Sequence, residues 1–341
     1  MLFSFPNQAS SATLHGGVNW TSLNNLKTSR LAARAIWSGT YDYQANFVVD
    51  RGAGYYLQSL KAIALIGHNL TAAATITVSG HPFRAYSSAN VSATYNGTGG
   101  LYGQGQMTGA PATLNSVSLA AGDAILLKGQ TTPAQNGQWR VTTVGTGSNG
   151  VWDRVSTDLP ATTTFTVTGP ARTCADSEAG ALPGLAFVAS EAGFTNSRYL
   201  GITVSDEDGL NENGALEFGY LWIGDGFAPV LGPSFGWSLG YEDLSLVETS
   251  LGGIDYVDPR PKYRVLRFGL DHLTSDEWAT QGIALSRDLG ITQPLLFIMS
   301  TTDATLGERV SFMGRLRTLS PIENPDPVRY STAFEVKELI G

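Results

Sequence analysis

The stretch Ala62-Ile63-Ala64-Leu65-Ile66-Gly67-His68-Asn69-Leu70-Thr71, running on to Thr75-Ile76-Thr77-Val78-Ser79, decides the fold. Five consecutive apolar residues have strand length and suit a strand buried in a core. Gly67-His68-Asn69 then turns the chain, since Gly and Asn tolerate positive φ. Thr75–Val78 alternates polar and apolar with period two, as a half-buried strand does. A long Gly/Thr/Ala-rich stretch follows before Asn196-Ser197-Arg198-Tyr199-Leu200-Gly201-Ile202-Thr203-Val204, which reads as a missing strand of the same sheet. One β-sandwich is therefore expected to carry a second module inside a loop.

Working outward, residues 1–30 are polar and turn-rich and read as an N-terminal arm. Residues 31–92 and 190–230 make the discontinuous sandwich, and 93–189 the insert with its linker. Within the insert, Ser88 to Gly109 reads as linker. Val117-Ser118-Leu119, Ala124–Lys128, Gly137–Val141 and Gly150–Arg154 read as short strands, with Ala186-Phe187-Val188 closing the module. In 231–341, Tyr263–Phe268, Pro294–Ile298, Ser311–Leu316 and Ala333–Glu338 read as strands. Thr274 and Glu277 form a capping box that opens the clearest helix, 274–290. Trp278, Leu285 and Leu289 recur at helical spacing and should pack on a sheet containing Val265, Phe297 and Phe312.

The chain has 341 residues, enough for roughly two or three domains. Charged residues are only 15 %, with 40 glycines, against a usual charged share of ~25 %. Turn-rich β structure explains the glycines, whereas the missing charges fit a surface covered by partners. The net charge of −8 and the absence of a Lys/Arg cluster leave no electrostatic footprint for nucleic acid. The single cysteine, Cys174, excludes an internal disulfide and a Cys-based zinc cage. The first residues lack the pattern of a secretory signal. No run reaches the ~18 apolar residues of a membrane span, so a soluble protein made in a cytoplasm is expected.

No catalytic constellation stands out. The four histidines, His15, His68, His81 and His272, are scattered without metal-ligand spacing. There is no Walker-type phosphate loop. No catalytic residue and no cofactor are expected. Asp206-Glu207-Asp208-Gly209 offers oxygen ligands in a tight loop, so Asp206 and Asp208 are a weak calcium candidate or a solvated turn. Trp37, Tyr41, Tyr43 and Tyr55 are candidates for stacking on a sugar or anchoring an interface, or are ordinary core and strand residues. Trp278, Leu285, Leu289 and Phe297 are the expected core of the C-terminal domain.

Ala62–Ser79 together with Arg198–Val204 resembles galactose-binding-like, discoidin-type β-sandwiches. With Ala33–Gly39 added, these segments resemble structural proteins of tailed-bacteriophage tails. Gly122–Gly137, with its Gln130-Thr131-Thr132-Pro133-Ala134-Gln135-Asn136-Gly137 turn and the later Trp152-Asp153-Arg154, is similar to a small β module of phage tail fibres. Residues Phe235 to Leu339 resemble, by pattern, the docking domain of distal tail or baseplate proteins. The resemblance implies a mainly β protein: a jelly-roll β-sandwich with an inserted β module, followed by an antiparallel β domain carrying one helix. It also implies a virion structural protein of the tail tip or baseplate, not an enzyme, that assembles with other tail proteins (tube, hub, fibres) and with its own copies. A host-surface glycan-binding adhesin is the alternative, and a glycan hydrolase a more distant one. A fold alone does not transfer a ligand.

Overall fold

The computed structural model describes all residues except 17–18, 40–43, 53–54, 56–58, 72, 158–164, 173–183, 207–214, 304–306, 308 and 340–341. The chain is mainly β, with several antiparallel sheets and one helix. Its first body is an eight-stranded sheet folded into two layers. The outer layer runs Thr13–Gly16, Gln44–Asp50, Tyr199–Ser205, Thr75–His81 and Phe165–Arg172. The last of these continues into the inner layer, formed by Leu185–Ala189, Ala62–Ile66 and Tyr220–Gly224. Val78 lies opposite Ile202 and Ile76 opposite Val204, so the strand around Arg198–Val204 sits beside Thr75–His81. Their apolar residues meet Ile63, Leu65, Leu221 and Ile223 in one core. Ala62–Ile66 is apolar throughout because both of its faces are covered. Ala62, Ala64 and Ile66 point away from that core, onto Leu2, Leu296, Ile298 and Met313.

The inserted module has other limits than its composition suggests. Its six-stranded sheet contains Ala85–Ser87, Ala124–Leu127, Gly137–Thr143, Gly150–Ser156, Gln106–Ala110 and Thr94–Asn96. Ala85–Ser87, expected in the sandwich, pairs in parallel with Ala124–Leu127. The expected linker supplies two strands, with Met107 wholly buried beside Trp139 and Trp152. Conversely, Leu185–Ala189 does not close the module. It pairs with Ala62–Ile66, and Phe165–Arg172 pairs with Thr75–His81. A short apolar strand carries no mark of which sheet it will join, so composition could not place these boundaries.

Residues 1–30 are not a loose arm. Leu2–Ser4 is an internal strand of the C-terminal sheet, between Gly226–Phe227 and Leu295–Ile298. Side chains alternate across a strand, so Leu2 faces the sandwich while Phe3 faces the opposite core. Phe3 meets the rings of Phe227, Phe268, Phe297 and Phe334, with centroids 5.4 to 5.9 Å away. The sheet continues through Phe312–Leu316, Arg329–Glu338 and Lys262–Leu273 to an edge strand, Ser238–Asp243. Thr274 caps the helix through the expected box with Glu277. After one α-turn the helix is π-wound over Trp278–Gly282 and Leu285–Leu289, and Gly290, at φ 53°, ends it. Leu285 and Leu289 enter the core with Phe297 and Phe312, whereas Trp278 is half-buried and meets the Tyr330 ring at a tilt, with centroids 4.7 Å apart. The strand presents Leu266, not the expected Val265, to that core. The order of layers is outer sheet, inner sheet, C-terminal sheet, helix.

Candidate functional site

Beyond Asp243 and Lys262, the last pair of the C-terminal sheet edge, the chain runs on as a separate ribbon of Leu246–Thr249 against Asp255–Asp258. Ser245 ties its base, accepting from the Arg260 amide at 2.9 Å. At its tip the Ser250 amide donates to the Ile254 carbonyl, and Gly253 supplies a positive φ of 79°. Residues opposite one another on an antiparallel pair share a face. Val247 and Val257 therefore mark one face, and Leu246, Glu248 and Tyr256 the other.

Both faces of this arm lie open. Val247, Val257 and Tyr256 are 59 %, 60 % and 63 % exposed, and Leu251 at the tip is fully exposed. Soluble chains seldom present contiguous apolar surface of this kind unless it is an interaction site. An isolated two-stranded ribbon is marginal in water. Its outer edges pair with nothing among the described residues. Residues 244–258 contain no lysine or proline, the residues that usually blunt an exposed edge. Asp258 pairs with Arg260 and Asp243 with Lys262, leaving Glu248 and Asp255 without a cationic partner among the described residues.

A second charged surface lies on the C-terminal sheet itself. On the face of the C-terminal sheet turned away from the helix, Arg317 pairs with Glu242 and Glu335, and Arg267 pairs with Glu335 at 2.9 Å. Donation from Tyr263, with Arg317 beside it, holds the Glu242 carboxyl below the usual carboxylate range. Arg315 and Lys337 stand opposite each other in neighbouring strands, with no carboxylate partner among the described residues. Next to them a groove of about 330 Å³ runs over Gly236, Gly269 and Ala333, between Arg267 and Glu335.

The candidate residues from the sequence do not come together. Trp37 is 6 % exposed in the sandwich core, so it presents no ring to a ligand. Tyr55 is half-buried, and Tyr41 and Tyr43 lie outside the described residues. Asp206 is buried and accepts from both the amide and the hydroxyl of Thr71, an internal brace, whereas Asp208 lies outside the described residues. Leu285, Leu289 and Phe297 are core residues and Trp278 packs at its border.

Sequence reasoning missed two features. The arm was legible as two β-rich runs around Gly252-Gly253, a hairpin signal. A charged cluster at the junction of sandwich and module was not, because its members are scattered along the chain. There Arg198 grips Asp50 through two 2.9 Å bonds, and the Tyr199 hydroxyl accepts from the Ala124 amide at 2.9 Å. Asp123 accepts from Ala120 at 2.8 Å, with Arg84 3.9 Å away. Burial pushes the Asp123 carboxyl up and His15 down, the latter helped by Arg84. His15, Asp50 and Asp123 bring one possible metal-ligand atom each within 4.8 Å of one another. Two guanidiniums already balance the two carboxylates, however, so a divalent cation would meet like charge. Beside this cluster a groove of about 530 Å³ is lined by His15, Asn46, Arg84, Ser116, Ser118 and Thr203. Comparison with protein-family models, curated proteins and solved structures finds no match.

Proposed function

We propose that this chain is a structural protein of a tailed-phage tail, at its tip or baseplate, and works by assembly rather than turnover. The observation that carries the assembly reading is the arm, whose apolar faces are both open and whose edges are unpaired. The low charge share of the chain supports the same reading, because interface cores are depleted in charge. The phage assignment rests on the resemblance of Ala62–Ser79, Arg198–Val204 and the Gln130–Gly137 turn to tail components. The site of action is then the virion tail, with tube, hub or fibre proteins as neighbours. No helix among the described residues is long and apolar enough to cross a membrane. Purified particles should contain the chain in stoichiometric amount, and an antibody to residues 244–258 should mark the tail end in negative stain only after partial disassembly. Absence from intact particles would sink this reading.

A second reading is saccharide binding by the sandwich and its module, favoured by the hydroxyl-lined groove at their junction. The charges there are balanced, which suits a neutral polyhydroxyl ligand better than an anion. Binding of purified host-surface glycan to the pure chain, blocked by Thr203→Trp, would establish it. Unchanged binding by that variant would place the sugar elsewhere.

A further inference from the structure

We propose that the cleft between the C-terminal helix and the end of the first strand binds a free α-amino acid with an apolar side chain, held as its zwitterion between Lys61 and Asp225. This goes beyond assembly and gives the chain a small-molecule site. The cleft has a volume of about 530 Å³, within the usual ~300–1,000 Å³ of a ligand site. Lys61 and Asp225 line it together with Phe5, Phe227, Gln281 and Ala284. Lys61 donates through Nζ to the Gly226 carbonyl at 3.0 Å. Gly226 follows Asp225 in the chain, so ammonium and carboxylate are anchored on adjoining residues. They nevertheless form no ion pair, and among the described residues neither has an opposite charge within 4.0 Å. The Asp225 carboxylate accepts no hydrogen bond from a described residue, and its Oδ1 is shut off from water. Arg51 feels that charge, but its guanidinium is engaged by the Gln8 side-chain oxygen and the Ser197 carbonyl. Gln281, on the helix side, has a shielded Oε1 that likewise lacks a donor. Acceptors held without donors are costly, and a ligand that brings donors relieves them. An anion alone would face Asp225 and a cation alone would face Lys61. A neutral sugar would leave both charges unpaired. A ligand with both signs on neighbouring atoms avoids these penalties: its carboxylate takes the remaining donors of Lys61, and its ammonium donates to Oδ2 of Asp225, the oxygen not closed off. The rings of Phe5 and Phe227 and the methyl of Ala284 then form the wall for its side chain.

The test titrates the full chain with L-phenylalanine and L-leucine in a calorimeter, up to about 10 mM, tenfold above a millimolar Kd. At least one of them should bind and raise the melting midpoint. Phenylalaninamide lacks the carboxylate and N-acetyl-L-phenylalanine lacks the ammonium, so each should bind about tenfold or more weakly than its parent amino acid. Lys61→Met should weaken phenylalanine binding and erase the preference over the amide, while keeping the preference over the N-acetyl compound. Asp225→Asn should do the reverse. A purely structural role for these residues would lower the melting midpoint without changing which analogue is preferred, and that result overturns the assignment. The analogue comparison on the parent chain needs no variant, so it decides the matter if one misfolds. Binding of neither amino acid overturns the proposal, and so does equal binding of the two blocked analogues. None of these outcomes bears on the assembly reading, which particle composition tests separately.

Discussion

Glu338 takes both Nε and Nη2 of Arg264 on its two carboxylate oxygens, and both side chains are closed off from water. Arg264 also lies over the ring of Phe312 and donates to the Arg309 carbonyl at 3.1 Å. Removing one partner strands the other as an unpaired buried charge, which costs about 3–5 kcal/mol. Arg264→Met and Glu338→Leu should each destabilise the chain by that amount in urea titration. The double variant should recover much of the loss. Additive losses would mean that the two ions do not act as a pair.

The helix separates a full burial from a partial one. Leu285→Ala removes a wholly buried side chain and should cost about 2–5 kcal/mol. Trp278 is only half-buried on Tyr330, so Trp278→Ala should cost about 1–3 kcal/mol, below the range for a buried tryptophan. Equilibrium unfolding ranks the two. A larger loss at Trp278 would put its ring deeper in the core than its contact with Tyr330 indicates.

Phe165 lies opposite Gly80 in register, so the module fills the loop of a β-hairpin between Thr75–His81 and Phe165–Arg172. Replacing residues 83–163 by a two-residue Asn-Gly turn should leave a cooperative, soluble remainder. Deleting 95–188 instead removes Phe165–Arg172 and Leu185–Ala189 from the sandwich, and should abolish cooperative melting. Two deletions with the same melting behaviour would contradict this division.

Burial pushes His68 down to about 4 from its ordinary 6.5, and its Nδ1 accepts from the Leu70 amide at 3.2 Å. The folded state therefore prefers the neutral ring. Its contribution to stability is full above 6.5, declines as pH falls from 6.5 towards 4, and is lost below that. His68→Asn keeps an acceptor but cannot titrate. Free energies of unfolding for parent and variant, measured across this window, should diverge at high pH and converge at low pH. Parallel curves would show that His68 titrates normally.

Phe3 sits among four aromatic rings, and Phe3→Ala should cost about 3–5 kcal/mol. Shortening the arm from residue 245 to 259 to a two-residue turn should leave the melting temperature within a few degrees of the parent, since its side chains are largely exposed. Differential scanning calorimetry compares both changes. A large loss from the arm deletion would make the arm part of the fold.

The apolar run Ala62–Ile66 and the alternation of Thr75–Val78 announced the sandwich, because burial on two faces or on one imposes those patterns. The capping box likewise announced the helix. The first residues misled for a physical reason: Leu2 and Phe3 form so short a strand that no period is visible, and their partners lie in distant segments. The module boundaries failed similarly, since pairing rather than composition assigns Ala85–Ser87 and Leu185–Ala189. The aromatic candidates were judged by residue type alone, and Trp37 proved to be core.

The position of Leu2–Ser4 between Gly226–Phe227 and Leu295–Ile298 constrains the order of events on the ribosome. Domains generally fold as units while the chain emerges, yet here an early strand must wait for two late ones. Until residue 334 has left the exit tunnel the aromatic cage of Phe3 is incomplete, and until residue 313 has done so the face of Ala62–Ile66 turned to the C-terminal sheet lacks part of its cover. The nascent sandwich thus remains incomplete until those residues emerge, leaving an apolar strip open until the C-terminal sheet closes over it.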